Sequence, residues 1–194
     1  MAPERHSVVH NTVDRYNPCR LQDLGSLDLA ALSTQSIRIG IGHDTHRLEP
    51  GGPLRLGGID VPHDRHAVGH SDADVLLHAI TDALLGAAGL GDIGEWFPDS
   101  DPANKGRDSS QLLQEAWRGV QKAGYRLINI DCIVFAERPK LGDHKAAIGH
   151  RVAEMLGVEA NQVGIKAKTG EQIGAIGEQQ AIMTQCVALL EHGG

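Results

Sequence analysis

Aromatic side chains are scarce in this 194-residue chain: Trp, Tyr and Phe occur twice each, 3% of the residues. Hydrophobic residues still reach 41%, so a core has to be built from Ala, Val, Leu and Ile, and the length fits one domain with a loose tail. Cysteine is equally thin. Cys19, Cys132 and Cys186 are far apart and odd in number, and no CxxC occurs. That argues against a disulfide framework and a thiolate zinc site and makes a reducing compartment the default. No apolar run is long enough to span a bilayer, and no membrane partner is expected. Residues 1–36 lack the apolar stretch of a secretory signal, and Glu4, Asp14, Asp23 and Asp28 are unlike a transit peptide. The expected location is cytoplasmic, with plastid stroma as the alternative. Positive charge is short as well: 18 Lys and Arg stand against 25 Asp and Glu, a net charge of −7. Such a chain is a poor general nucleic-acid binder, because phosphate neutralisation needs clustered Lys and Arg. It can still hold a small phosphorylated ligand through local donors and a metal. Neither a Gly-x4-Gly-Lys-Ser/Thr phosphate loop nor a Gly-x-Ser-x-Gly nucleophile elbow occurs.

What is present is organised as an extension and a domain. Residues 1–35 read as a flexible or peripheral N-terminal extension, with a short helix possible at 27–32, and residues 36–194 as the folded domain. Ile37, Ile39 and Ile41 alternate with Arg38, Gly40 and Gly42, a strand signal. After a turn at Gly51-Gly52-Pro53, Leu54, Leu56, Ile59 and Val61 suggest a second strand interrupted by Gly57-Gly58, expected to pair with the first as a hairpin. A helix follows, capped by Ser71 or Asp72, with Val75, Leu76, Ala79, Ile80, Ala83 and Leu84 at helical spacing and an end near residues 86–89. Residues 89–107 are rich in Gly, Asp and Pro and read as a functional or mobile loop. Helices are predicted at 109–123 and 143–156, and strands at 127–136, 164–168 and 181–190. This order suits an α+β fold of two layers, a mixed β-sheet with helices on one face.

The densest chemistry lies in His43-Asp44-Thr45-His46 and His70-Ser71-Asp72-Ala73-Asp74-Val75-Leu76-Leu77-His78. Asp44 and His46 are two apart on a strand, so both side chains point the same way. His78, on a separate helix, could supply a third ligand. One carboxylate and two imidazoles suit zinc, and three protein ligands leave a fourth position open for a reacting group. Asp74, His78 and Asp82 are four apart on one helix face, and Asp82 could hold the His78 ring. His70 and Ser71 stand before a helix start, where free N–H groups favour phosphate. Asp92, Gly94 and residues 97–101 could accept hydrogen bonds from a polyol, and Lys105 and Arg107 could answer a phosphate. Residues 136–141 form a charged turn stiffened by Pro139, where main chain could read a base edge and Lys140 could meet phosphate. Lys166, Lys168 and Thr169 supply donors, and Glu171 a hard oxygen ligand for a magnesium ion. A zinc hydrolase of phosphate esters is the rival reading. It needs a general base near the metal, for which His43 or Asp74 could serve.

These runs, together with His78-Ala79-Ile80-Thr81-Asp82-Ala83-Leu84-Leu85-Gly86, Gly91-Asp92-Ile93-Gly94, Phe97-Pro98-Asp99 and Lys166-Ala167-Lys168-Thr169, occur in one order over residues 37–190. That order resembles the 2-C-methyl-D-erythritol 2,4-cyclodiphosphate synthase family of the non-mevalonate isoprenoid pathway. The resemblance implies a homotrimer, with sheets packed around the threefold axis and active sites between subunits. It implies a small-molecule nucleotide-diphosphate substrate, 4-diphosphocytidyl-2-C-methyl-D-erythritol 2-phosphate, cyclised with release of CMP. It further implies zinc on Asp44, His46 and His78, and magnesium or manganese on Glu171. His70 and Thr169 match positions that stabilise the transition state, and Ser71 matches a phosphate contact. Asp92, Gly94, Phe97, Asp99 and Asp101 match contacts to the methylerythritol. Ala136, Pro139, Lys140, Leu141 and Lys168 match the cytidine-phosphate side. The chain departs from the family at Gly174-Ala175-Ile176-Gly177-Glu178-Gln179, where many members read Gly-Phe-x-Gly-Arg-Gly. Glu178 at the Arg position removes the cation that an anion site on the trimer axis would use. Gln172 stands where Lys is frequent.

Overall fold

The computed structural model describes residues 36–193; the extension at 1–35, with the helix expected at 27–32, lies outside them. Seven strands and five α-helices follow in the order β1 (Ile37–Pro50), β2 (Leu54–Leu56), β3 (Ile59–Val61), β4 (Arg65–Val68), α1 (Val75–Ala88), α2 (Ile93–Trp96), α3 (Ser109–Lys122), β5 (Tyr125–Phe135), α4 (Lys145–Leu156), β6 (Val163–Lys168), α5 (Gly174–Gly177) and β7 (Ala181–His192). Five strands form one mixed sheet in the order β4-β1-β7-β5-β6. Only β5 and β6 are parallel, and α4 makes the crossover such a pair needs.

The expected hairpin between the first two strands does not form. β1 runs through the polar segment up to Pro50 and pairs with β7 and β4. β2 and β3 make a separate two-stranded sheet. Their turn is Gly57-Gly58, both at positive φ (63° and 76°), which glycine adopts without steric cost and which two-residue hairpins favour. The loop at 89–107 is more ordered than its composition suggested. It holds α2 and a 3-10 turn at Pro102–Asn104, each started by an aspartate, Asp92 and Asp101, accepting from the backbone.

Helices cover one face of the sheet. α1 is almost wholly buried, and it rests directly on the backbone of β1. A Cβ on Gly40 would stand 2.0 Å from the Ala83 carbonyl oxygen, and one on Gly42 1.8 Å from that of Ala79. Alternation along β1 then puts Asp44, His46 and Leu48 on the helix side. The opposite face is apolar and open: Ile39 and Ile41 are each 71% exposed, and Ile37 and Val187 also reach solvent. Among the described residues no helix is long and apolar enough to cross a membrane.

Candidate active site

The glycine contact brings His78 of α1 over Asp44 and His46 of β1. His78 Nδ1 lies 2.9 Å from Asp44 Oδ2 and 3.1 Å from His46 Nε2, and His46 Nε2 lies 3.0 Å from the same Asp44 oxygen. Among the described residues these three form the one metal-capable group of His, Cys, Asp and Glu. The near-equilateral triangle matches the edge of roughly 3.3 Å between donors in a tetrahedral site with bonds of about 2.0–2.1 Å. Outer partners orient the rings. His46 Nδ1 lies 3.0 Å from the Val68 carbonyl oxygen, so it carries a proton and turns Nε2 inwards. Burial pushes the Asp44 carboxyl up, but the close ring nitrogens of His46 and His78 and their charge outweigh it and hold the group well below the usual carboxylate range. Burial pulls the His46 imidazole down, and the Asp44 hydrogen bond and charge, with the Val68 carbonyl, carry it above its ordinary value. The cluster therefore favours positive charge at its centre, as a metal site does.

A cavity of about 380 Å³ opens beside this cluster, walled by His46, His78, His70, Ser71, Gly94 and Asp99, with Phe97 also in its lining. Five of the expected contact residues thus meet His46 and His78 there: His70, Ser71, Gly94, Phe97 and Asp99. Asp92 and Asp101 do not line it. Their carboxylates cap α2 and the 3-10 turn by accepting from Glu95 and Ala103 N–H.

Four expectations need correction. The cap of α1 is Asp74, not Ser71 or Asp72. Asp74 is fully buried and accepts from Leu77 N as well as from Gly57 N and Gly58 N at 2.9 and 2.7 Å. Asp74 is thus spent on backbone N–H groups of α1 and of the Gly57-Gly58 turn and cannot act as a base beside Asp44, His46 and His78. Asp82 does not hold His78; it accepts from Ile93 N at 2.8 Å and ties α2 to α1. Arg107 is committed elsewhere, donating to Glu115 and Asn104 and lying 5.3 Å from the Phe97 ring centroid. His43 points to the other face of β1, beside Thr45. The zinc hydrolase loses both of its proposed bases.

What holds the outer nitrogen of His78 was not foreseen: Nε2 lies 2.8 Å from Ser109 Oγ and 3.0 Å from Ser71 Oγ. Ser109 is the first residue of α3, behind the Asp108 cap. A hydroxyl there had no motif to announce it.

The second group of expected residues stands apart. Thr45, Met183, Phe135 and Lys168 form one row across β1, β7, β5 and β6. Three steps of roughly 4.8 Å put Lys168 about 14 Å from β1. Thr169 and Glu171 follow it in a turn, where Thr169 Oγ1 donates to Glu171 Oε1 at 2.8 Å and Glu137 accepts from Gly170 and Gln172 N–H. Ala136 and Leu141 are buried at the neighbouring end of β5. Lys166 is taken up by an ion pair with Asp131.

A model of the YgbB family matches residues 37–191. The chain belongs to the YgbB family. Within YgbB it is 54% identical over 146 residues to 2-C-methyl-D-erythritol 2,4-cyclodiphosphate synthase of Gemmatimonas aurantiaca, covering 75% of this chain and 88% of that one. The synthase of the same name from Rhodopirellula baltica is 52% identical over 157 residues, 81% and 95% of the two chains. A solved 2C-methyl-D-erythritol-2,4-cyclodiphosphate synthase in its CDP-bound form superposes with a TM-score of 0.73 at 41% identity, over 79% of this chain and 99% of that structure. The mixed five-stranded sheet with its helices is the YgbB architecture.

Proposed function

We infer that this chain converts 4-diphosphocytidyl-2-C-methyl-D-erythritol 2-phosphate into 2-C-methyl-D-erythritol 2,4-cyclodiphosphate and CMP. The observation that carries this is the meeting of Asp44, His46 and His78 donors at 2.9–3.1 Å beside a cavity, in a chain more than half identical to such synthases. An oxygen of the 2-phosphate attacks the β-phosphorus. The bond from that phosphorus to the oxygen bridging the α-phosphorus breaks, and that oxygen leaves on CMP with the electron pair. No protein nucleophile takes part, so the work is positioning and charge stabilisation.

Asp44, His46 and His78 would hold zinc, and Glu171 magnesium or manganese, which when bound supply Lewis acidity and neutralise phosphate oxygens. His70 and Ser71 donate to the phosphates from the cavity wall. Asp99, with Gly94 and Phe97, holds the methylerythritol. Thr169 and Lys168 donate on the nucleotide side, and Ala136, Pro139, Lys140 and Leu141 frame the cytidine. One chain cannot bring these two sets together across about 14 Å of sheet. A second copy can, and the open Ile37, Ile39, Ile41 face offers the apolar surface on which copies would pack. A homotrimer with sites between subunits satisfies both demands.

Purified chain given this substrate should yield cyclic diphosphate and CMP in equal amounts. Stripping metal with a chelator, or changing His78→Ala, should abolish turnover. Linear phosphate release, or full activity of metal-free protein, would reject the reading.

A further inference from the structure

We propose that Asp72 and Ser109 form a relay that fixes the ring tautomer of His78, keeping its Nδ1 bare and aimed at the metal position. The inference rests on the metal reading of Asp44, His46 and His78. Its basis is the count of protons. Ser109 has a single hydroxyl proton, and it is donated to Asp72 Oδ1. Towards His78 Nε2, 2.8 Å away, Ser109 can then only accept. For that contact His78 Nε2 has to carry the ring proton, which leaves Nδ1 as the lone pair facing Asp44 and His46.

Ser71 is the competing neighbour. Its Oγ accepts from Ala73 N at 3.2 Å and stands 3.0 Å from the same His78 nitrogen, and its own proton can turn to Ser109 Oγ at 3.3 Å. Without Ser109 it could donate to Nε2 and drive the ring into the opposite tautomer, with the proton on Nδ1 where the metal should bind. Ser109 is fully buried and is not part of the cavity lining, so it acts through His78 and is a positioning residue. Asp72 touches none of the three ligands; its second oxygen lies 3.8 Å from Arg55 Nε. The relay links the start of α3 to the segment before α1, across 37 residues of sequence.

The test uses the full chain and its Ser109→Ala, Asp72→Ala and double variants. Zinc affinity is measured by competition with a chromophoric chelator. The nitrogen-15 spectrum of the His78 ring is recorded in zinc-free protein at alkaline pH. Each single change should weaken zinc binding about 10–100-fold, the usual cost of losing a partner of a ligating histidine. The double variant should lie within about twofold of the weaker single, because both changes break one chain. The ring spectrum should move from the Nε2–H towards the Nδ1–H signature. Should Ser109→Ala fail to fold, Asp72→Ala decides alone, since it leaves the hydroxyl in place and only frees its proton to turn towards the ring. An unchanged Nε2–H signature with wild-type zinc affinity overturns the relay, and so do losses that multiply in the double variant. A wild-type chain that binds no zinc strikes at the metal reading itself, whereas equal zinc binding by wild type and variants strikes at the relay alone.

Discussion

Gly42→Ala tests whether the contact of β1 with α1 builds the metal centre. A Cβ at Gly42 would lie 1.8 Å from the Ala79 carbonyl oxygen and 2.8 Å from Ala83 N. Carbon and oxygen approach comfortably to about 3.3 Å, so the helix has to back away by about 1.5 Å. Ala79 is the neighbour of His78, and that retreat is half the 2.9 Å now separating His78 Nδ1 from Asp44 Oδ2. Metal bonds of about 2.0–2.1 Å tolerate roughly 0.2 Å. The variant should lose on the order of 100-fold or more in turnover, and overpacking should cost about 1–3 kcal/mol of stability. Gly86→Ala is the matched control on the same helix. Nothing lies within 4 Å of its Cβ, and replacing this glycine in the last turn of α1 should add at most about 0.5–1 kcal/mol. Zinc per chain after dialysis, zinc affinity, thermal unfolding and CMP release check both variants. A Gly42→Ala protein that binds zinc as tightly as wild type would refute the reasoning.

Three further outcomes are expected. Asp74→Asn replaces a carboxylate that accepts from three buried N–H groups with a group whose amide end can only donate. At least one N–H is stranded, costing about 1–3 kcal/mol in denaturant unfolding, with faster hydrogen exchange at Gly57 or Gly58. Burial, above all, pushes the Asp82 carboxyl up despite its bond from Ile93 N. A carboxyl raised on folding lowers stability as pH rises through its folded value, so in metal-free protein Asp82→Asn should be the more stable form at neutral pH. That advantage should vanish in acid below the ordinary 3.8, and an advantage that grew in acid would contradict the assignment. Ile39→Asp places a charge on the open sheet face proposed as the packing surface; light scattering should read the proposed three copies of 20.7 kDa for the parent chain and one for the variant, and equal masses would move the interface elsewhere.

The cluster of Asp44, His46 and His78 was legible because strand alternation binds Asp44 to His46 whatever the rest of the fold does, and because His78 stands on a strongly periodic helix. The role of Gly40 and Gly42 was not. In sequence they read as the small partners of an isoleucine stripe, and only the packed helix shows them to be the buried side. The true length of β1 was hidden by its polar second half, and its main partner, β7, lies some 140 residues on, beyond the reach of local pattern. The cap of α1 reads in sequence as Ser71 or Asp72, and Asp74 is passed over. The choice fell to the aspartate that also meets the Gly57 and Gly58 amides, a tertiary demand no local rule contains. Ser109 escaped notice because a hydroxyl earns its place here only through a histidine 31 residues away.

The row that runs from Thr45 to Lys168 has a genetic corollary. In the proposed trimer, two variants of this chain, one changed at His78 and the other at Thr169, should each be inactive alone, yet each retains the half that the other has lost. Co-folded in equal amounts, they should assemble mixed rings in which about a quarter of the clefts unite two sound halves, so that a blend of two inert proteins works.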